Sequence, residues 1–330
     1  MDWNDPDWEQ RVHSWITAQL EAHDLRWEGS AESIHSLPWS RVLRVPSRRG
    51  PLYFKASPPV FTYEPALTAK LHELFRDQIP EVIAVAPESG WLLMSDAGTT
   101  LRATVSGGEL LKSMELVFSQ VAALQLGCVE HTRTLLTLGV PDRRLIGLPD
   151  LFQRLLDKQL HSPVPAPQAL TPEEIWEGQK HVQTFAELCS ELALRGVPET
   201  LHHDDFHDGN IFVDVDLHKL RVADWAESAV AHPFCTLTVG LRSAAYRATL
   251  PEDSPPLRRL ADAYLEPWSA CGTLTELRET LALARRIGRI IRALTWSNLI
   301  SSLSVAEQQE EGATQAWIRL YLEGERDIPK

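Results

Sequence analysis

What most constrains this chain is one stretch in its second half. His203-Asp-Asp-Phe-His-Asp-Gly-Asn210 leads into two apolar, β-branched runs, IFVDV and LRVAD, and the second ends on Asp224-Trp225. Gly209 and the run after it describe a loop entering a strand, not the interior of a helix. The fourteen residues from Asn210 to Asp224 suit two five-residue strands and a short turn, which is a β-hairpin. A hairpin returns the chain on itself, so Asn210 at the start of one strand comes back beside Asp224 at the end of the next. The spacing therefore offers two side-chain oxygens to one cation, with a further carboxylate, Asp205, five residues before Asn210. Such a set suits phosphoryl transfer. That chemistry needs oxygen ligands to hold Mg²⁺ on the phosphates and a carboxylate near the attacking hydroxyl.

Around this stretch the chain changes character once. Residues 6–24 carry Trp8, Val12, Trp15, Ile16 and Leu20 at helical spacing. Strand candidates SIHSL, RVLRV and LYFKA follow, parted by Pro38-Trp39-Ser40 and by the turn-rich Pro46 to Pro51. Tyr63 to Arg76 reads as a helix through Leu67, Leu71 and Leu74, and VIAVAP and WLLMS read as two more strands. Beyond Asp96-Ala-Gly98 the helical period dominates, near 106–127, 148–160, 172–194, 231–246, 256–267, 274–304 and 312–324, with the loop and hairpin of 201–224 embedded.

The expectation is an α+β chain in two parts. Residues 1–97 form a small lobe of leading helix, antiparallel sheet, second helix and hinge; residues 98–330 form a large, mainly helical lobe that carries the loop and hairpin. A length of 330 residues accommodates both. Arg285, Arg286, Arg289 and Arg292 share one long helical segment with Ile287, Ile290 and Ile291, and read as solvated charges on a partly buried helix.

The net charge of −13 excludes a broad nucleic-acid or anionic-membrane surface and suits a cationic small partner. The acidic start, Met1-Asp-Trp-Asn-Asp-Pro, lacks the apolar core of a secretion signal, and no apolar run approaches the roughly 18 residues of a membrane span. A cytoplasmic protein is expected. Cys128, Cys189, Cys235 and Cys271 lie far apart without paired spacing, so neither a zinc site nor a disulfide framework follows.

The loop and hairpin resemble those of the aminoglycoside phosphotransferase and choline kinase family, the small-molecule branch of the protein-kinase-like fold. That family carries H-G-D-x-H-x-x-N and then I-D-W or I-D-F; this chain has H-D-D-F-H-D-G-N and then V-A-D-W. The resemblance implies a bilobal kinase-like fold and a kinase that uses ATP, or GTP, with Mg²⁺ to phosphorylate a small hydroxylated acceptor. Aminoglycosides, choline, homoserine and sugars are acceptors within this fold. By resemblance Asp205 is the catalytic base, His203 supports the loop, His207 lines the site, and Asn210 and Asp224 hold the metal. Lys55, at the end of an apolar strand, falls where the family has its phosphate-binding lysine, and Glu64 where it has the partner of that lysine. Met94, Ser95 and Asp96 resemble the hinge that meets the adenine edge, and Ser40 lies in the turn that would cover the phosphates. Asp204 and Glu227 are charges near the acceptor, Glu227 placed to meet a substrate ammonium.

Three positions depart from the family. Asp204 replaces the usual Gly, so the backbone there needs no conformation open only to Gly. Asp208 replaces a common Pro, and Thr236 stands where an Asp braces the loop, offering a neutral and weaker partner. No A-P-E segment follows Asp224, which favours a small acceptor over a protein. Two rival readings stay open. A metal-dependent hydrolase is one, but the spacing lacks the H-x-H-x-D-H order. A nucleotide-binding pseudokinase is the other, although Lys55, Asp205, Asn210 and Asp224 are all present.

Overall fold

The computed structural model describes residue 3 and residues 5–213, 220–304, 307–308 and 312–326. The turn of the expected hairpin, 214–219, lies outside the described residues, as do Met1 and Asp2. In chain order the elements are α1 (Pro6–Ala22), β1 (Glu32–Leu37), β2 (Ser40–Ser47), β3 (Gly50–Ala56), α2 (Glu64–Leu74), β4 (Val82–Ala86), β5 (Trp91–Ser95), β6 (Thr99–Thr100), α3 (Leu101–Thr104), α4 (Gly107–Gly127), α5 (Thr132–Thr137), α6 (Leu148–Gln159) and α7 (Pro172–Leu194). Then come β7 (Thr200–His203), β8 (Ile211–Val213), β9 (Leu220–Val222), β10 (Ser228–Ala231), α8 (Leu237–Ala248), α9 (Pro255–Leu265), α10 (Leu274–Ser301) and α11 (Ala313–Arg326). Among the described residues no helix is long and apolar enough to cross a membrane.

The chain divides into two compact units. The sheet unit is Met1–Ala103 with Gly209–Ala226, and the helical unit is Thr104–Asp208 with Glu227–Lys330. The sequence places one boundary at 97/98; in the structure the sheet unit also takes in the hairpin strands, because β8 pairs with β6.

In the sheet unit five antiparallel strands run in the order β1-β2-β3-β5-β4. Two-residue turns close the first two hairpins, at Pro38-Trp39 between Leu37 and Ser40, and at Arg48-Arg49 between Ser47 and Gly50. Gly50 has φ 109°, a conformation that favours Gly. Strand alternation divides β3: Leu52, Phe54 and Ala56 face the core with Val45 and Leu93. Against that face packs α1, started by Asp5, whose carboxylate accepts from the Asp7 amide, and by Pro6 in its first turn. Its buried Trp8, Val12, Ile16 and Leu20 recur every four residues, and each full burial of an aliphatic side chain contributes about 1.5–3 kcal/mol. The opposite face of β3 presents Tyr53 and Lys55. Their cross-strand partners are Arg44 and Met94 for Tyr53, and Val42 and Leu92 for Lys55.

The helical unit is organised on α10, a 28-residue helix whose capping box joins Thr273 and Glu276. Gly288 lets it approach the segment Pro233–Thr236 and the start of α8: a Cβ there would meet the Thr238 hydroxyl, lie 3.1 Å from Thr238 Cβ and 3.3 Å from the Cys235 carbonyl. The single helix expected over 231–246 is three pieces here. Ala231 ends β10, Pro233–Thr236 is a 3₁₀ turn, and α8 starts at Leu237. Pro233 disfavours helix in the residue before it, and the strand pairing of β10 with β7 holds Ser228–Ala231 extended. That short two-stranded ladder, α5 and β6 carry too few residues to show a period.

Candidate functional site

A cavity of about 410 Å³ is lined by residues of the sheet unit alone. Its walls follow from the register just described, since Val42, Tyr53, Lys55, Leu92 and Met94 share one face of the sheet. Lys55 Nζ donates to Glu64 Oε1 at 2.6 Å and to Asp224 Oδ1 at 2.7 Å. Glu64 opens α2, where the helix dipole favours a carboxylate, and its second oxygen accepts from the Ser57 hydroxyl. Burial opposes a charge on Lys55, but the Asp224 and Glu64 carboxylates outweigh it and raise the ammonium above its ordinary value. Lys55 is a fixed cation facing the cavity.

The hairpin delivers the other two groups. Ile211 pairs with Val222, and beyond them the Ala223 amide donates to the Asn210 carbonyl at 2.9 Å, which brings Asn210 and Asp224 to the same end of the strands. Both line the cavity. Asp224 has φ 62°, a left-handed backbone that Asp tolerates better than most residues and that aims its carboxylate at Lys55. An amide oxygen and a carboxylate form a hard, oxygen-only donor pair. Mg²⁺ is commonly held by one or two such side chains plus phosphates and water, so these residues fit it. Among the described residues no group of three or more His, Cys, Asp or Glu is arranged to hold a metal by itself.

Met94, Ser95 and Asp96 also line the cavity, at the end of β5. Asp96 Oδ1 accepts from the Gly98 amide at 2.9 Å, so its side chain closes the turn after β5. Ser40 is not among the lining residues; it sits at the start of β2, its hydroxyl 3.1 Å from His35 Nε2, and His35 lines the cavity instead. Burial, then the Lys55 charge, lowers the His35 pKa. On β1, an exposed strand without clear alternation, nothing in the sequence marks this histidine.

The loop from His203 to Asp208 belongs to the helical unit. It leaves β7, where His203 pairs with Ser228 of β10, and the Asp204 amide donates to the Glu227 carbonyl at 3.2 Å. Beneath it Thr236 is a buried hub. Its oxygen accepts from the His203 amide at 3.3 Å and from Gln125 Nε2 at 2.9 Å, and lies 2.9 Å from His202 Nδ1. Thr236 thus holds the loop backbone through neutral hydrogen bonds. Asp204 has no left-handed backbone, and its Oδ1 lies 3.0 Å from His202 Nε2.

Asp205 is held on both oxygens, with Oδ1 2.9 Å from Arg292 Nη2 and Oδ2 3.2 Å from His207 Nε2. His203 Nδ1 accepts from the Asp205 amide at 3.3 Å. Burial works against ionisation of Asp205, but the Arg292 guanidinium and then His207 hold its carboxyl far below the usual range. Arg292 Nη1 also bonds Glu227 Oε2 and lies 3.9 Å from Asp204 Oδ2. One expectation is corrected here. Arg292 is 5% exposed rather than solvated, and Glu227, expected near a substrate ammonium, is bonded to Arg292. Asp208, also buried, pairs with Arg247 Nε at 2.9 Å, from α8.

No protein-family model and no curated protein matches the chain. Solved structures do. An ethanolamine kinase from Plasmodium vivax aligns over 99% of this chain and 90% of its own at 11% identity, with a TM-score of 0.64. A macrolide 2′-phosphotransferase type I aligns over 88% and 95% at 12% identity and a TM-score of 0.55. A spectinomycin phosphotransferase, solved with ADP and spectinomycin, aligns over 96% and 94% at 13% identity and a TM-score of 0.50. With Lys55, Glu64, Asn210 and Asp224 gathered in its sheet unit, this chain has the kinase-like α+β fold that these phosphotransferases share.

Proposed function

We propose that this protein is a small-molecule kinase that binds ATP in the sheet-unit cavity and transfers its terminal phosphate to an acceptor hydroxyl. The observation that carries the reading is Lys55, held between Glu64 at 2.6 Å and Asp224 at 2.7 Å inside a cavity that also contains Asn210. Such a cation, fixed by carboxylates and shielded from water, is worth more to a phosphate than a mobile surface lysine. Met94, which lines the cavity, offers an apolar border suited to a purine. Asn210 and Asp224 are the residues that would hold Mg²⁺, which when bound neutralises phosphate charge.

Asp205 orients the acceptor. Its Arg292-bound carboxylate is a poor base, yet a loose phosphoryl-transfer transition state asks for alignment of the hydroxyl first and takes its proton late. The acceptor is a small hydroxylated molecule; a net charge of −13 suits a cationic one.

The test is thermal shift with Mg²⁺–ATP and with Mg²⁺–GTP, on the wild type and on Asp224→Ala. Ligand at 100 times its dissociation constant stabilises the folded state by about 2.7 kcal/mol, a readily measured shift. A metal-dependent shift lost in Asp224→Ala supports the site and opens an acceptor screen with Asp205→Ala as the low-turnover control. No shift with either nucleotide refutes it.

A further inference from the structure

We infer that Arg292, on α10 and 82 residues beyond the Asn210 of the loop motif, is the positioning residue of Asp205, fixing its carboxylate against Glu227. The inference rests on the phosphotransferase reading, in which Asp205 orients the acceptor hydroxyl. A carboxylate held at one oxygen still turns about its last torsion. Asp205 is held at both, by Arg292 and by His207.

The guanidinium is itself anchored. One fork nitrogen meets Asp205 and the other meets Glu227, whose carbonyl accepts from the Asp204 amide. The Trp296 ring, one turn along, lies 5.3 Å from the guanidinium carbon. The helix that carries Arg292 is locked in depth, because Gly288, one turn earlier, is the point of close approach to Thr238 and Cys235. A planar fork of this kind grips two carboxylates with a defined angle between them; a lysine offers a single point charge.

Charge makes the arrangement necessary. Asp204, Asp205 and Glu227 converge on one cation, and without it three carboxylates repel across a few ångströms. The hub beneath the loop is the neutral Thr236, so the charged restraint comes from elsewhere. Arg292 supplies it for Asp205, as Arg247 does for Asp208.

The test uses Arg292→Met, Arg292→Lys, Asp205→Asn and the double variant Arg292→Met/Asp205→Asn. Turnover of Mg²⁺–ATP with water as acceptor is followed as ADP release, and ATP affinity is measured in parallel. Arg292→Met is expected to keep the ATP dissociation constant and KM within about twofold while kcat falls roughly ten- to hundredfold, the cost of a misplaced group. Arg292→Lys recovers part of the loss. In the Asp205→Asn background Arg292→Met costs nothing further, because its effect passes through that carboxylate. A merely structural arginine would lower kcat equally in both backgrounds, and that result overturns the inference, as does wild-type kcat in Arg292→Met. If Arg292→Met does not fold, Arg292→Lys decides alone: kcat reduced at unchanged KM supports positioning, and wild-type kcat refutes it. A wild type that neither binds nor turns over ATP overturns the phosphotransferase reading and this inference with it. An active wild type with an unaffected Arg292→Met overturns this inference alone.

Discussion

Replacing Thr236 with Val removes one hydroxyl and leaves nearly the same shape. The hub serves three groups, but they do not lose equally. Gln125 Nε2 keeps the Leu201 carbonyl at 2.9 Å, and His202 keeps Asp204 at its other nitrogen. What Val removes is the hydroxyl that serves the buried His203 amide and one nitrogen of the His202 ring. An unsatisfied buried polar group costs about 1–3 kcal/mol, so two should cost about 2–4 kcal/mol after local relaxation. Thr236→Ser keeps the hydroxyl and loses a methyl, about 1 kcal/mol. Urea unfolding followed by tryptophan fluorescence measures both variants. Thr236→Val should be the less stable by at least about 1 kcal/mol, with the midpoint moving and the slope unchanged. Equal stability of the Val and Ser variants would refute the hub, because a methyl would then account for everything.

Three further outcomes are expected. Lys55→Met should abolish the ATP-induced thermal shift and lower turnover about 10²–10³-fold, since it removes a preorganised cation and leaves Glu64 and Asp224 facing each other. Burial, then the neighbouring His202, lowers His232 to a pKa of about 3, so the unfolded ring takes up a proton below its ordinary 6.5 while the folded ring does not. Its contribution is intact above pH 6.5 and is lost as pH falls from there toward 3. At pH 5 the loss is about 2 kcal/mol, and comparing urea unfolding at pH 7 and 5 for wild type and His232→Asn should show that increment only in the wild type. Gly288→Ala should destabilise by about 1–3 kcal/mol in the same assay, through overpacking against Thr238 and Cys235; unchanged stability would mean that α10 shifts freely.

Much of the sheet unit was legible in the sequence because its signals are local. The alternation in LYFKA puts Lys55 opposite the core face, and the hairpin spacing brings Asn210 and Asp224 to one cavity. The helices of the second half, with their 3.6-residue period, were also readable, within a residue or two at most ends and three at the end of α10. What was not legible depends on distant partners. Arg292 meets Asp205 across 87 residues and Arg247 meets Asp208 across 39, and no local period encodes either pairing. A trace of Arg292 was nonetheless present: Leu281, Ala284, Gly288, Arg292 and Thr295 follow helical spacing along the buried stripe of α10. An arginine in such a stripe needs a buried partner. The helix expected over 231–246 failed because tertiary pairing with β7 overrode the apolar period, with Pro233 marking the break.

The discontinuous sheet unit has a consequence for the order in which the chain can fold during synthesis. Residues 1–103 emerge first, yet the unit also needs Gly209–Ala226. Until residue 224 leaves the ribosome, the buried Lys55 ammonium has Glu64 but lacks Asp224, and β6 lacks β8. A nascent chain released early therefore holds an unfinished cavity and an unpaired strand, a combination prone to aggregation. Completion of the first unit waits on about two-thirds of the chain, and a fragment ending at residue 103 should lack the closed cavity and give no thermal shift with Mg²⁺–ATP.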